Sequence, residues 1–266
     1  MLVAYDGGRF RGFAAQPGMP TVAGALVTAI ERFVGHTVDL ACAGRTDAGV
    51  HAWSQVVHAD LVAPRGRNEE VPPSWTAPEL DRLQRAVTKM LGPEIAIRAI
   101  GLAPTGFHAR FSAVGRRYRY TVLNRPTPDP FLARTTWHVT TPLDLRAMRL
   151  ACDPLFGEHD FSSFCRRPPG DHSLVRRVRQ AEWHDLGDDL LRFEVEASSF
   201  CHQMVRSLVG TMVDMGLGRR KAGDMAWVLR AADRQQAGQL APPHGLCLWE
   251  VEYPESLAFH DLGTSG

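Results

Sequence analysis

Residues 38–62 read VDLACAGRTDAGVHAWSQVVHADLV. Two strand-like runs, 38–43 and 50–62, flank a short loop that Gly44 and Gly49 allow to turn tightly. Upstream, residues 1–5 form a short apolar strand that ends at the turn Asp6-Gly7-Gly8. Thr21 then caps a helix whose apolar residues Val22, Leu26, Ile30 and Phe33 fall at helical spacing, with Gly35 as its stop. Downstream, Thr76-Ala77-Pro78-Glu79 fits a capping box, and Leu80, Leu83, Val87 and Leu91 lie along the helix it opens. Gly92-Pro93 ends that helix and residues 95–100 resume as strand. The first hundred residues therefore read β-α-β-β-α-β.

The rhythm repeats. Residues 116–123 alternate as a strand, and Thr141-Pro142-Leu143-Asp144 opens a helix expected to run through Leu145, Met148 and Leu155. Strands are predicted over 175–184 and 190–197, around the turn Gly187-Asp188-Asp189. A strongly apolar helix follows over 201–215, a further helix over 222–232, and a closing strand over 246–253. Two successive β-α-β-β-α-β units predict an α+β fold. It would have two ferredoxin-like halves, 1–104 and 105–266, with mostly antiparallel sheets joined edge to edge and a central cleft. Residues 63–76 and 165–173 read as irregular loops, and the second carries Arg166 and Arg167.

Among 266 residues, 30 basic against 29 acidic side chains leave a net charge of +1, which excludes a uniformly basic nucleic-acid coat. That balance is an average. Residues 98–134 hold seven arginines and one acid, and residues 166–179 hold five arginines and one acid. Only Lys89 and Lys221 are lysines. Codon composition favouring arginine explains such a bias as readily as function does, but arginine is also the better bidentate partner for phosphates and bases. Around these arginines stand Phe107, His108, Phe111, Tyr118 and Tyr120, the mixture of cations and stackable rings that RNA binding uses. No apolar run is long enough for a membrane span, and no secretory signal opens the chain. The five cysteines are scattered without a C-x-x-C pair, so they read as reduced thiols of a cytoplasmic protein.

Chemistry concentrates in the loop AGRTDAGVHA, residues 43–52, which presents Arg45, Asp47 and His51. An aspartate between glycines commonly closes a turn on its own backbone. A carboxylate beside a guanidinium is also kept ionised and oriented, as a nucleophile or general base requires. No serine motif supports a Ser/His/Asp triad. His51 and His58 lack the spacing of a metal pair.

This loop resembles the signature of the tRNA pseudouridine synthase A (TruA) family. Similar blocks recur in order: Tyr5-Asp6-Gly7, the stretch FHARFSA over 107–113, RRYRY over 116–120, GEHDFSSF over 157–164, FCHQMVR over 200–206 continuing to Gly210, Gly245-Leu246, and VEYP over 251–254. The resemblance covers nearly the whole chain. It implies an isomerase that converts uridine to pseudouridine at positions 38, 39 and 40 of the tRNA anticodon stem-loop, without metal or cofactor. It also implies two related α+β halves, a catalytic cleft and a homodimer.

By that resemblance Asp47 is the catalytic nucleophile or base. Arg45 pairs with it and holds the flipped nucleotide's place in the stem, and Tyr118 stacks on the extruded uracil. Leu246 is the apolar wall behind the base, and His202 and Arg206 belong to the substrate site. Arg116, Arg117, Arg166 and Arg167 are the candidates for RNA backbone contacts. The chain departs from the family pattern at Gly12-Phe13-Ala14-Ala15-Gln16, which lacks the usual Trp and polar residues, and at Thr88–Pro93. Neither departure touches the Asp47 loop. A non-catalytic RNA-binding protein on the same fold is the alternative, and it would have no use for that aspartate.

Overall fold

A computed structural model describes residues 1–61, 75–167, 170 and 173–257. In the first of two units (Met1–Val114 with the residues from Glu250), β1 (Leu2–Tyr5), α1 (Val22–Val34), β2 (Leu40–Cys42), β3 (His51–Ala59), α2 (Ala77–Leu91) and β4 (Ile95–Ala99) follow in the predicted order. Local signals set the helix ends. Thr21 Oγ1 accepts from the Gly24 amide at 3.2 Å, and Gly35 closes α1 in the left-handed region at φ 78°. The capping box is formed: the Thr76 amide donates to Glu79 Oε2 at 2.8 Å.

Strands β4, β1 and β3 lie side by side, and β2 pairs with β3, all antiparallel. The β1–β3 register sets Tyr5 opposite Ala52 and Val3 opposite Gln55. Leu26 and Ile30 of α1 and Leu83 and Val87 of α2 are wholly buried where the helices pack on each other. Each such side chain stabilises the fold by about 1.5–3 kcal/mol. A second cluster gathers Ala43, Val56 and Ala109 with Leu2, Phe107, Val251 and Tyr253, and the Tyr253 hydroxyl donates to the Ala109 carbonyl at 2.6 Å.

The second unit, Gly115–Trp249, contains β5 (Gly115–Asn124), β6 (Trp137–Val139), α3 (Leu145–Leu150), β7 (Gly157–Asp160), β8 (Val175–Asp185), β9 (Leu190–Ala197), α4 (Met204–Gly216) and α5 (Asp224–Ala231). It also takes the first four residues of β10 (Leu246–Glu252). The strand order is β10-β5-β9-β8-β7, with β6 parallel alongside β5. The pairings of β5 with β9, β9 with β8 and β8 with β7 are antiparallel. Buried Leu208, Val209, Met212 and Val213 of α4 give this unit its core, together with Tyr120, Phe161, Phe164 and Phe193.

The helix expected to reach Leu155 stops at Leu150, because Pro154 cannot continue it and a separate 3-10 turn, Asp153–Leu155, follows. The helix expected from residue 201 starts at Met204, since Gln203 is left-handed at φ 68°. β6 and β7 were not anticipated. The cysteines are not all separate thiols: Cys165 and Cys201, 36 residues apart, are joined as a disulfide with Cα atoms 5.8 Å apart, and Cys42, Cys152 and Cys247 remain thiols. The predicted loop over 63–76 lies outside the described residues except for Trp75 and Thr76, and so do residues 168, 169, 171 and 172 of the loop over 165–173. Among the described residues no helix is long and apolar enough to cross a membrane.

Candidate active site

The loop between β2 and β3 leaves Arg45 exposed and Asp47 half-buried, while Thr46 between them points inward. The Thr46 Oγ1 is 2.7 Å from the Tyr5 hydroxyl. Gln55, fully buried on β3, donates through Nε2 to the Gly44 carbonyl at 2.7 Å and lies 3.4 Å from the same Tyr5 hydroxyl. The backbone is held as well: the Phe13 amide donates to the Thr46 carbonyl at 3.0 Å and the Val50 amide to the Asp47 carbonyl at 3.1 Å. Buried polar contacts of this kind fix one geometry, because breaking any of them strands a desolvated group.

Two glycines let the rest of the unit close on this loop. A Cβ at Gly7 would lie 1.9 Å from the Val50 carbonyl oxygen, and one at Gly12 would lie 2.9 Å from the Thr46 carbonyl oxygen. Gly12 also adopts φ 98°, which side chains resist. The sequence pointed to His51 as a group presented beside Asp47, and here the structure differs. His51 is only 8% exposed, with Nδ1 3.0 Å from the Gly7 amide that donates to it and 3.2 Å from Asp6 Oδ1. It fastens the Asp6-Gly7 turn.

The second unit carries the remaining predicted residues. Tyr118 lies on β5 opposite Val195, buried to 8% exposure, with its ring edge-on to Phe200 at 4.9 Å. Leu246 opens β10 directly after the turn Pro243–Gly245 and is buried. Gly245 is required by close approach, since a Cβ there would meet the Tyr120 ring at 2.6 Å. Burial drives the Tyr120 phenol well above its ordinary pKa, and its hydroxyl donates to the Pro242 carbonyl at 2.8 Å. Arg206, in the first turn of α4, donates to the Ala241 carbonyl at 2.7 Å. His202 is exposed, and its carbonyl accepts from the Arg166 amide at 3.0 Å.

The arginines divide by environment. Arg166 and Arg167 are exposed. Arg116 is buried and donates to the Ser198 carbonyl at 2.9 Å, while Arg117 pairs with Glu196 across the strands at 2.7 Å. Sequence reasoning missed the bracing roles of Tyr5 and Gln55. A signal for Gln55 existed: an uncharged polar residue directly before the apolar pair Val56-Val57 in a strand asks for a buried partner.

A family profile described as tRNA pseudouridine synthase matches residues 151–254. Over 252 residues the chain is 37% identical to tRNA pseudouridine synthase A of Brevibacillus brevis, covering 95% of this chain and 98% of that one. The corresponding protein of Caulobacter vibrioides is 39% identical over 95% of this chain and 97% of its own. That of a Methylobacterium species is 42% identical over 96% and 97%. The chain belongs to the tRNA pseudouridine synthase A family.

Proposed function

We propose that this protein isomerises uridine to pseudouridine at positions 38, 39 and 40 of the tRNA anticodon stem-loop, with Asp47 as the nucleophile or general base. Family membership makes it a tRNA-modifying isomerase. The reaction breaks the bond between C1′ and N1, turns the base, and joins C1′ to C5. A proton leaves C5 and N1 ends protonated, so nothing is consumed. One carboxylate suffices for this, because it can add to the sugar or base, or take the proton, and then depart.

The observation that carries the assignment is the seating of Asp47. It is half-buried, on a loop pinned through Tyr5, Thr46 and Gln55, so its place on the backbone is fixed without the residue being sealed from a substrate. Tyr118 is assigned to stack on the extruded uracil, Leu246 to back it, and Arg45 to take the place of the flipped nucleotide. Arg206 and His202 are assigned to the substrate. Phosphate contact falls first to exposed Arg166 and Arg167, since Arg116 and Arg117 already engage Ser198 and Glu196. The finer architecture that goes with this reading is two ferredoxin-like halves with a catalytic cleft, working as a cytoplasmic homodimer.

Asp47→Asn tests the core of it. The variant is expected to bind unmodified tRNA as the wild type does and to form no pseudouridine. Carbodiimide-dependent primer-extension stops in the anticodon arm provide the readout. Wild-type protein that binds tRNA but yields no stop there would refute the assignment.

A further inference from the structure

Phe111 is the anomaly of the first unit: a large apolar ring left 76% exposed at the end of a tightly organised turn. The turn is not loose chain. His108 Nδ1 accepts from the amides of Arg110 at 3.1 Å and Phe111 at 3.3 Å. The His108 amide donates to Ser112 Oγ at 3.0 Å, and the Ser112 amide returns to the His108 carbonyl at 2.9 Å. The rings touch in series. Phe111 leans on His108 at 4.4 Å between centroids, and His108 meets His58 edge-on at 4.6 Å. His58 in turn is fixed by the Ala109 amide, which donates to its Nδ1 at 3.2 Å. Arg110, also exposed, holds its guanidinium carbon 5.6 Å from the centre of the Phe111 ring.

The position of this group matters as much as its rigidity. Cys42, the last residue of β2, has its thiol pKa raised by burial and lowered in part by two nearby cations, Arg45 and Arg110. Packing gives the same placement: Ala109, the residue before Arg110, lies in one buried cluster with Ala43, where the Asp47 loop begins. A fixed apolar ring with a guanidinium beside it offers a π-face and a positive charge together. Those are the two things an unpaired nucleotide presents a partner for, through its base and its phosphate.

We propose that Arg110 and Phe111 form a stacking platform for one unpaired base of the RNA substrate, beside the Asp47 loop. The proposal rests on tRNA being the substrate. Preorganisation explains the arrangement: the turn orders the ring in advance, so binding does not have to. Stacking is indifferent to base identity, so the platform grips RNA and positions it without selecting a sequence.

The test uses the full chain and an unmodified tRNA transcript, with binding measured by filter retention across a salt series. Phe111→Ala is expected to weaken binding by about 5- to 140-fold, the range for losing one base–aromatic stack. Phe111→Trp should bind like the wild type, and Phe111→Leu should remain weak, because a leucine keeps apolar bulk but offers no π-face. Arg110→Gln should flatten the salt dependence by about one unit of slope, whereas Phe111→Ala should leave the slope alone. Thermal melts confirm that each variant is folded. The platform is overturned if Phe111→Ala binds as the wild type does, or if Leu serves as well as Trp. It is equally overturned if Phe111→Ala changes the sedimentation of the free protein while sparing RNA binding, since the ring would then face another copy of the chain. Failure of the wild type itself to bind tRNA would remove the substrate reading along with the platform.

Discussion

Gly7→Ala puts the seating of Asp47 to a direct test. The new Cβ would stand 1.9 Å from the Val50 carbonyl oxygen, with the Val50 carbonyl carbon at 2.5 Å and its nitrogen at 3.0 Å. A carbon and a carbonyl oxygen approach no closer than about 3.3 Å. The Asp6-Gly7-Gly8 turn and the end of the Asp47 loop must therefore separate by roughly 1.4 Å, and backbone atoms cannot swing aside as a side-chain tip would. Val50 lies three residues from Asp47, and its amide bonds the Asp47 carbonyl. A displacement near 1 Å at a reacting group lowers turnover about 100-fold. The assay is single-turnover release of tritium from C5 of labelled uridine in tRNA, alongside tRNA affinity and a thermal melt. Turnover should fall by about two orders of magnitude while affinity stays close to that of the wild type. Gly44→Ala serves as the comparison, because a Cβ at that position of the same loop meets nothing within 4 Å among the described residues. A folded Gly7→Ala protein with turnover within about threefold of the wild type would refute the reasoning that the turn sets the position of Asp47.

Two more outcomes are expected of the structure. The pKa of His58 is lowered, by burial first and then by the charge of His108, so its neutral form is favoured in the folded protein. Its stabilising contribution is complete above the unfolded value of about 6.5 and is lost as pH falls below it, because the unfolded chain takes up the proton first. Between pH 7 and 5.5 the wild-type melting temperature should fall more steeply than that of His58→Asn, which titrates nothing there; parallel curves would contradict this. For the Cys165–Cys201 disulfide, alkylation of the denatured chain should label three of the five cysteines without reductant and all five with it. Labelling of all five in unreduced protein would show that the pair is not joined.

Much of the fold was legible because its signals are local. Thr21 and Gly35 bound α1, and Thr76 with Glu79 starts α2, through contacts spanning three or four residues. β6 and β7, at three and four residues, are too short for alternation to declare them, and they exist only by pairing with β5 and β8. The early end of α3 was readable in Pro154, had its clash with the preceding turn been weighed above the spacing of Leu155.

The candidate site divides in the same way. Asp47 and Arg45 stand out because a Gly-flanked loop between strands is itself a sequence pattern. The contribution of Tyr5 and Gln55 depends on the β1–β3 register and on side chains meeting across 41 and 50 residues. His51 was misjudged for that reason, since only the fold shows that the Asp6-Gly7 turn claims its ring. Exposure of Phe111 was equally invisible, because apolar residues in an Arg-rich stretch can face either way.

Gln55 also marks where stability and turnover pull in different directions. Its Oε1 is buried without a hydrogen-bond partner among the described residues, while its Nε2 holds the Gly44 carbonyl. A designer seeking a hardier protein would choose this residue early and replace it with leucine or methionine, relieving one unsatisfied oxygen. That exchange would also release the start of the Asp47 loop. The unsatisfied atom and the bracing one share a single amide, so relieving the first strands the Gly44 carbonyl and loosens the seat of Asp47.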